Sequence, residues 1–237
     1  MTDAHCHVSC GDLSVRELLI GRDFFGIHPW ETLDETTGTS RALVPDVPVV
    51  PDVSFLAALR SKLLANPNAG VGEIGLDRLK VRDIPPLMRE VFESQLALAL
   101  ELRRPVVLHG AKCWGQVVAA VKRMIGGGLA MGGKRQAFLF HGFSRSDGLI
   151  PEIVELNGFI SVGPAVLNDH AVNYRELVKK IPLDRLLVET DAVVGACVPT
   201  RPHIRDVLVK TADILNLSAA ELEKTTDENA DRFLGAV

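Results

Sequence analysis

The chain has 237 residues, 47% hydrophobic and 24% charged, which suits one large α/β domain over residues 1–237 with a full core and argues against a second domain. A net charge of -4 argues against a broad basic surface for coating duplex nucleic acid, though a small local phosphate site remains compatible with it. The four cysteines form no CxxC pair, and the sequence offers neither a secretory leader nor an apolar stretch of spanning length, so a cytoplasmic protein without disulfides is expected.

In chain order, a first strand is predicted near Asp3 to His7, and one short helix fits between His7 and Gly26, where a second strand follows over Asp23 to Ile27. The stretch from Thr32 to Pro51, rich in Thr, Pro and Asp, reads as an irregular surface loop or lid edge. A strand at Gly70 to Ile74 leads to a helix that Pro86 opens and that stops before Pro105, with Leu87, Val91, Leu96, Leu98 and Leu102 apolar. Further strands are predicted at Val106 to His109, Ala137 to His141, Gly158 to Val162 and Leu186 to Asp191, seven in all. Between them a helix spans Gly115 to Ile125 before Gly126-Gly127-Gly128, and another runs from Ser146-Asp147 to Leu156 with Gly158 as its stop. Ser218-Ala219-Ala220-Glu221 is a capping box for the last helix. Strands alternating with helices imply a parallel sheet with crossover helices.

Chemistry-bearing residues recur where those strands end. Alternation along a strand puts His5 and His7 on one face and Cys6 on the other, so two imidazoles converge. Glu73, His109, His141 and Asp191 each lie near the end of a later apolar run. In a parallel barrel the C-terminal strand ends meet at one face, so residues far apart in sequence gather there.

The ordered set His5-Cys6-His7, Gly26-Ile27-His28-Pro29, Gly72-Glu73-Ile74-Gly75-Leu76-Asp77, Pro105-Val106-Val107-Leu108-His109, His141-Gly142-Phe143-Ser144 and Glu189-Thr190-Asp191-Ala192 resembles the TatD family of metal-dependent hydrolases. The resemblance implies an α/β, TIM-barrel-like (β/α) fold with a two-metal hydrolytic centre, typically described as a deoxyribonuclease. By motif, His5, His7 and Asp191 match ligands of one metal and His109 and His141 those of the other, with Glu73 bridging; Asp191 and Glu73 are then the catalytic carboxylates. The short span between His7 and Gly26 departs from the family pattern and implies loss of one β/α unit after the first strand. Near the site, Trp30 stands where the family often has His, Ala111 where an Arg is usual with Lys112 beside it, Arg145 where the family has Gly, and Val193-Val194 where a proline-aromatic pair is usual. His28, Trp30, Lys112 and Arg145 are accordingly the candidate substrate contacts.

Each of these residues also has a bland reading. A lone His at a strand end is ordinarily a hydrogen-bonded structural group, but paired imidazoles in this order reverse the odds. Carboxylates such as Glu73 and Asp191 otherwise cap helices or form surface ion pairs. Glu189, two before Asp191, is either a site residue on the same face or a buried structural acid. His28 either packs its turn or faces substrate, Asp77 is a candidate partner behind a ligand, and Lys112 and Arg145 are either solvated cations or phosphate contacts. His170 and His203 match no motif and default to the surface, and Cys6 and Cys10 to ordinary free cysteines.

Imidazole and carboxylate ligands suit Zn, Mn, Mg or Co to differing degrees, and metal binding lowers the pKa of water from about 15.7 to about 7. The expected activity is phosphodiester hydrolysis at DNA ends or in short single-stranded oligonucleotides, with Trp30 placed to stack one unpaired base. The alternatives are an ester, lactone or amide hydrolase on the same centre, and an idle metal-bearing interaction protein. No membrane partner is expected.

Overall fold

A computed structural model of the chain describes residues 1–33, 53–126, 136–193 and 203–235. In order, its elements are β1 (Thr2–Cys6), β2 (Arg16–Leu19), β3 (Phe24–Phe25), a 3-10 turn (Pro29–Thr32), α1 (Val53–Ala65), β4 (Gly70–Asp77), α2 (Pro86–Glu101), β5 (Val106–Ala111) and α3 (Trp114–Ile125). There follow β6 (Phe138–Phe140), α4 (Ile150–Glu155), β7 (Gly158–Val162), α5 (Val172–Val178), β8 (Leu186–Val188), α6 (Ile204–Leu215) and α7 (Ala219–Leu234). Most of Thr32 to Pro51, together with Gly127, Gly128, Val194 and Cys197, lies outside the described residues.

All seven predicted strands are present, and an eighth, β2, was not expected. The helix foreseen between His7 and Gly26 is absent among the described residues; residues 7–15 instead run irregularly into β2, which pairs parallel to β1 with Thr2 opposite Arg16 and Cys6 opposite Leu19. The crossover helix, rather than the strand, is what this segment lacks. The strand escapes pattern reading because it is short and carries two charges, each satisfied by tertiary contacts: Arg16 bonds Thr2 and Asp231, and Glu17 accepts from Ser9 Oγ and Cys10 N.

The chain folds as two compact units. The first comprises Met1–Arg22 with Ala137–Val237. Here β6, β7 and β8 form a parallel ladder, with Phe138 opposite Gly158 and Ile160 opposite Leu186. Its core holds Phe138, Phe140, Phe143, Phe159 and Phe233, all almost fully buried, and each such side chain contributes roughly 1.5–3 kcal/mol of transfer free energy. Helix α7 begins with the predicted Ser218–Glu221 capping box, and from its buried face Asn229 Nδ2 donates to the carbonyls of Leu183 and Leu186 at 2.7 Å each, fixing where β8 starts.

The second unit, Asp23–Gln136, carries the parallel strands β3, β4 and β5 with α1, α2 and α3. Its α2 buries Leu87, Met88, Val91, Phe92, Leu96, Leu98 and Ala99, the apolar stripe foreseen from the sequence. Gln95 on the same buried face clamps Ile27: its Oε1 accepts from Ile27 N at 2.7 Å and its Nε2 donates to Ile27 O at 3.2 Å. That fixes the backbone one residue before His28. Helix α3 ends at Gly126, whose φ of 53° is the left-handed conformation expected of a helix stop.

Candidate metal centre

In the first unit, β1 ends at Cys6 and β8 at Val188, and the chain beyond each is stitched to the other: Asp191 N donates to His5 O at 3.0 Å, and His7 N to Ala192 O at 2.8 Å. Asp3 makes a second stitch, its carboxylate accepting from Thr190 N at 2.9 Å and Thr190 Oγ1 at 2.6 Å. Burial pushes Asp3 up to about 6, against the pull of those hydrogen bonds. Asp191 itself turns into the left-handed region, φ 48°, so its side chain leaves the strand alternation and stands half exposed while Glu189 stays buried.

The result brings His5, His7 and Asp191 together. Their Nε2 atoms lie 3.6 and 3.7 Å from Asp191 Oδ1. Those separations exceed a hydrogen bond, yet donors bound to one tetrahedral ion at 2.0–2.2 Å sit roughly 3.4 Å apart, so this set fits a shared divalent cation. The His141 ring stacks on His5 with centroids 4.0 Å apart. Behind it, Glu189 accepts from Gly142 N at 2.7 Å and from Ser161 Oγ at 2.5 Å, with Oε1 3.9 Å from His141 Nδ1. Complete burial, reinforced by the Asp191 charge, holds the Glu189 carboxyl well above the usual carboxylate range. Glu189 thus resolves to the buried acid that shapes the turn after His141. A cleft of about 1040 Å³ opens beside Asp191 and is lined also by Arg145, His170 and Tyr174.

The second unit carries its own cluster. His28 caps the Pro29–Thr32 turn, its Nδ1 accepting from Trp30 N at 3.1 Å. A neutral ring that accepts at Nδ1 carries its proton on Nε2, and that nitrogen faces Glu73 Oε1 at 3.5 Å. His28 therefore packs its turn, and its other nitrogen lies on the Glu73 side. His109 lies opposite Gly75 in the β4–β5 ladder, with Glu73 and Asp77 two residues to either side. A Cβ at Gly75 would come within 2.0 Å of His109 O, and its φ of 155° also requires glycine, so the motif's glycine is what lets the strands close up here.

As a consequence one imidazole sits between two carboxylates: His109 Nδ1 to Glu73 Oε1 at 2.5 Å, and Nε2 to Asp77 Oδ2 at 2.7 Å. Burial alone would lower the His109 pKa, but the Asp77 and Glu73 contacts outweigh it and push it up to about 9. The same contact, with Leu79 N donating to Asp77 Oδ1 at 2.5 Å, holds Asp77 below its ordinary value despite burial. Donor atoms of His28, Glu73 and His109 lie within 4.8 Å of one another, close enough to share an ion. Trp30 is 40% exposed, with Lys80 Nζ 3.8 Å from its ring centroid. Lys112 stands exposed just past β5.

Cys6 and Cys113 are buried with their thiols donating to the carbonyls of Leu18 and Leu76, and burial pushes Cys113 up to about 12, away from thiolate character. Sequence reasoning missed the Asp3–Thr190 stitch, although Asp3 shares the strand parity of His5 and His7. It also missed Lys80 over Trp30, for which the sequence carries no signal. Among the described residues no helix is long and apolar enough to cross a membrane.

The family profile described as TatD related DNase matches residues 21–235. An uncharacterized metal-dependent hydrolase of Bacillus subtilis, YabD, is 32% identical over 169 residues, 69% of this chain and 64% of that protein. The 3'-5' ssDNA/RNA exonuclease TatD of Klebsiella pneumoniae is 28% identical over 221 residues, 89% of this chain and 75% of that one. Against the first two curated relatives the chain spans just under two thirds of their length, 64% and 62%. Among solved structures, the TatD homolog YJJV of Escherichia coli superposes with a TM-score of 0.67 at 22% identity, covering 94% of this chain and 78% of that one. A TatD-family hydrolase structure from Entamoeba histolytica gives 0.67 at 17%, covering 92% and 75%. The fold is accordingly α/β and TIM-barrel-like.

Proposed function

The chain belongs to the TatD-related DNase family, and on that premise we propose that it is a divalent-metal-dependent hydrolase, acting as one domain over residues 1–237, that cleaves phosphodiesters at DNA ends or in short single-stranded oligonucleotides. The observation that carries the metal dependence is the spacing of His5, His7 and Asp191, too long for hydrogen bonds and right for ligands of one ion. In this reading those three would hold one ion and His109 and His141 a second, with the Glu73 carboxylate shared between the two. The mixed imidazole and carboxylate donor set suits Zn, Mn, Mg or Co to differing degrees, the imidazoles pulling toward Zn and Co and the carboxylates toward Mg and Mn. Bound divalent ions supply Lewis acidity, lowering the pKa of a water and neutralising charge that develops on the phosphoryl oxygen.

The protein's own groups do the rest. Asp191 would take the proton of the attacking water. His28 presents its Nε2 proton as a donor rather than acting as a ligand, because its Nδ1 is committed to Trp30 N. Trp30, Lys112 and Arg145 complete the substrate contacts. Relatives named as 3'-5' ssDNA/RNA exonucleases support single-stranded nucleic acid as the substrate.

A second reading is an ester, lactone or amide hydrolase on the same centre: the charges around the cleft beside Asp191 are of mixed sign, with Asp147 paired to Lys180 and Glu176 to Lys179, so the cleft is not a cationic groove built for a long polyanion. Parallel assays with bis-(p-nitrophenyl) phosphate, a p-nitrophenyl ester and a single-stranded oligonucleotide, each with a chelator control, separate the readings. Chelator-sensitive cleavage of the phosphodiester and the oligonucleotide is expected. Turnover of the ester alone selects the second reading, and no turnover of any substrate leaves a metal-bearing interaction protein.

A further inference from the structure

The cleft beside Asp191 holds a hydrogen-bond donor with no assigned task. Tyr174, the chain's only tyrosine, stands on α5 and lines the cleft together with Gly163, Glu189 and Asp191. Its phenol reaches back to the end of β7, where the oxygen accepts from Gly163 N at 3.1 Å. Burial pushes the phenol above its ordinary value, so the group keeps its proton. Among the described residues that proton finds no acceptor within hydrogen-bond reach. A largely buried hydroxyl that accepts but does not donate is unusual, and here the unspent donor belongs to a residue of the cleft wall.

The rest of the cleft is polar without being cationic. Because Asp147 pairs with Lys180 and Glu176 with Lys179, Arg145 is left, among the described residues, as the unpaired cation of the lining. A run of phosphates entering here would meet the Asp191 carboxylate and a single guanidinium. Ser144 and Asn173 join Tyr174 in offering uncharged hydrogen-bonding groups. The volume of about 1040 Å³ matches the upper end of small-molecule sites, which run to roughly 1,000 Å³. A sugar with its base has the complementary character, being compact, neutral and rich in oxygen acceptors.

We propose that this cleft takes the nucleoside next to the scissile phosphate, with the Tyr174 O–H donating to a sugar or base oxygen of that nucleoside. Its place in the reaction rests on the hydrolase reading, whereas the binding of a nucleoside does not. Tyr174 is then a specificity-determining residue, favouring phosphodiesters that carry a nucleoside over those that carry none. Tyr174→Phe should lower kcat/KM for p-nitrophenyl thymidylate relative to bis-(p-nitrophenyl) phosphate by about 3- to 10-fold, the loss of one neutral hydrogen bond. The variant also leaves Gly163 N without its acceptor, and damage of that kind slows both substrates alike, so the ratio is the quantity to read.

A binding test needs neither a variant nor turnover. With a single tyrosine in the chain, isotopically labelled tyrosine ring carbons report on this one residue by NMR in the Zn-supplemented protein. Millimolar thymidine is expected to shift the Tyr174 signal saturably, and inorganic phosphate to shift it less. No shift with thymidine, or one from phosphate at least as large, would overturn the proposal. So would a substrate ratio in Tyr174→Phe equal to that of the wild type. If the wild type turns over neither phosphodiester, the hydrolase reading fails and the thymidine titration still decides what the cleft binds.

Discussion

The two clusters use the same residue types and stand in different states. In the first unit, His5 and His7 approach Asp191 at 3.6 and 3.7 Å, beyond hydrogen-bond reach. In the second, His109 is closed on both sides by carboxylates at 2.5 and 2.7 Å. The first set is spaced for an ion. The second is a charged hydrogen-bond network that must surrender a proton and a bond before His109 binds one. Backbone stitching accounts for the contrast: main-chain bonds between the ends of β1 and β8 set the first spacing, whereas side chains that meet freely across Gly75 set the second.

The largest expected effects strike the open cluster. Asp191→Asn keeps the shape of the side chain and loses the base, so kcat on bis-(p-nitrophenyl) phosphate should fall by about 100- to 10,000-fold, the usual range for a general base. Activity within about two-fold of wild type at saturating Mn would remove Asp191 from catalysis. Glu73→Ala probes the closed cluster and, if Glu73 bridges, should lower both metal occupancies together, whereas His7→Ala should lower one. Elemental analysis after loading and gel filtration decides between them, and full occupancy in Glu73→Ala would break the bridging assignment.

A smaller effect is expected from pH on the metal-free protein. The folded-state pKa of His109, about 9, lies above its ordinary value of 6.5, so the charged ring stabilises the fold fully below pH 6.5 and loses that contribution as pH rises through 9. The midpoint of thermal unfolding should therefore decline across that window. His109→Gln should flatten the decline, and identical slopes in the two proteins would show that the closed cluster is not charged as described.

How much of this contrast is legible in the sequence depends on its physical origin. Strand ends bearing His5, His7, His109, His141 and Asp191 follow from period-two alternation and apolar runs, and α2, α3 and α7 follow from their stripes and stop or capping residues. Strand β2 does not, because Arg16 and Glu17 break the apolar pattern and are satisfied only in three dimensions. Nor does the separation of Glu189 from Asp191: alternation puts them on one face, and the left-handed turn at Asp191 undoes that.

The finest comparison pairs two exposed cations, one per unit. Lys112 follows β5 and Arg145 follows the turn after β6, and both are held in the left-handed region, at φ 57° and 59°. That conformation costs an ordinary residue roughly 1–2 kcal/mol, and Arg145 stands where the resembled family has glycine. Arg145→Gly relieves the strain but frees the unfolded chain, at a cost of about 0.4–1 kcal/mol, leaving a net gain in stability between about 0 and 1.6 kcal/mol. If the cation serves substrate, the same variant should raise KM for a single-stranded oligonucleotide, and the slope of log affinity against log salt should lose about 0.7. Lys112→Gly provides the matched measurement in the other unit. A variant that gains stability and loses affinity identifies a strained residue kept for binding. A gain in stability with unchanged KM and salt slope would mark that cation as merely solvated.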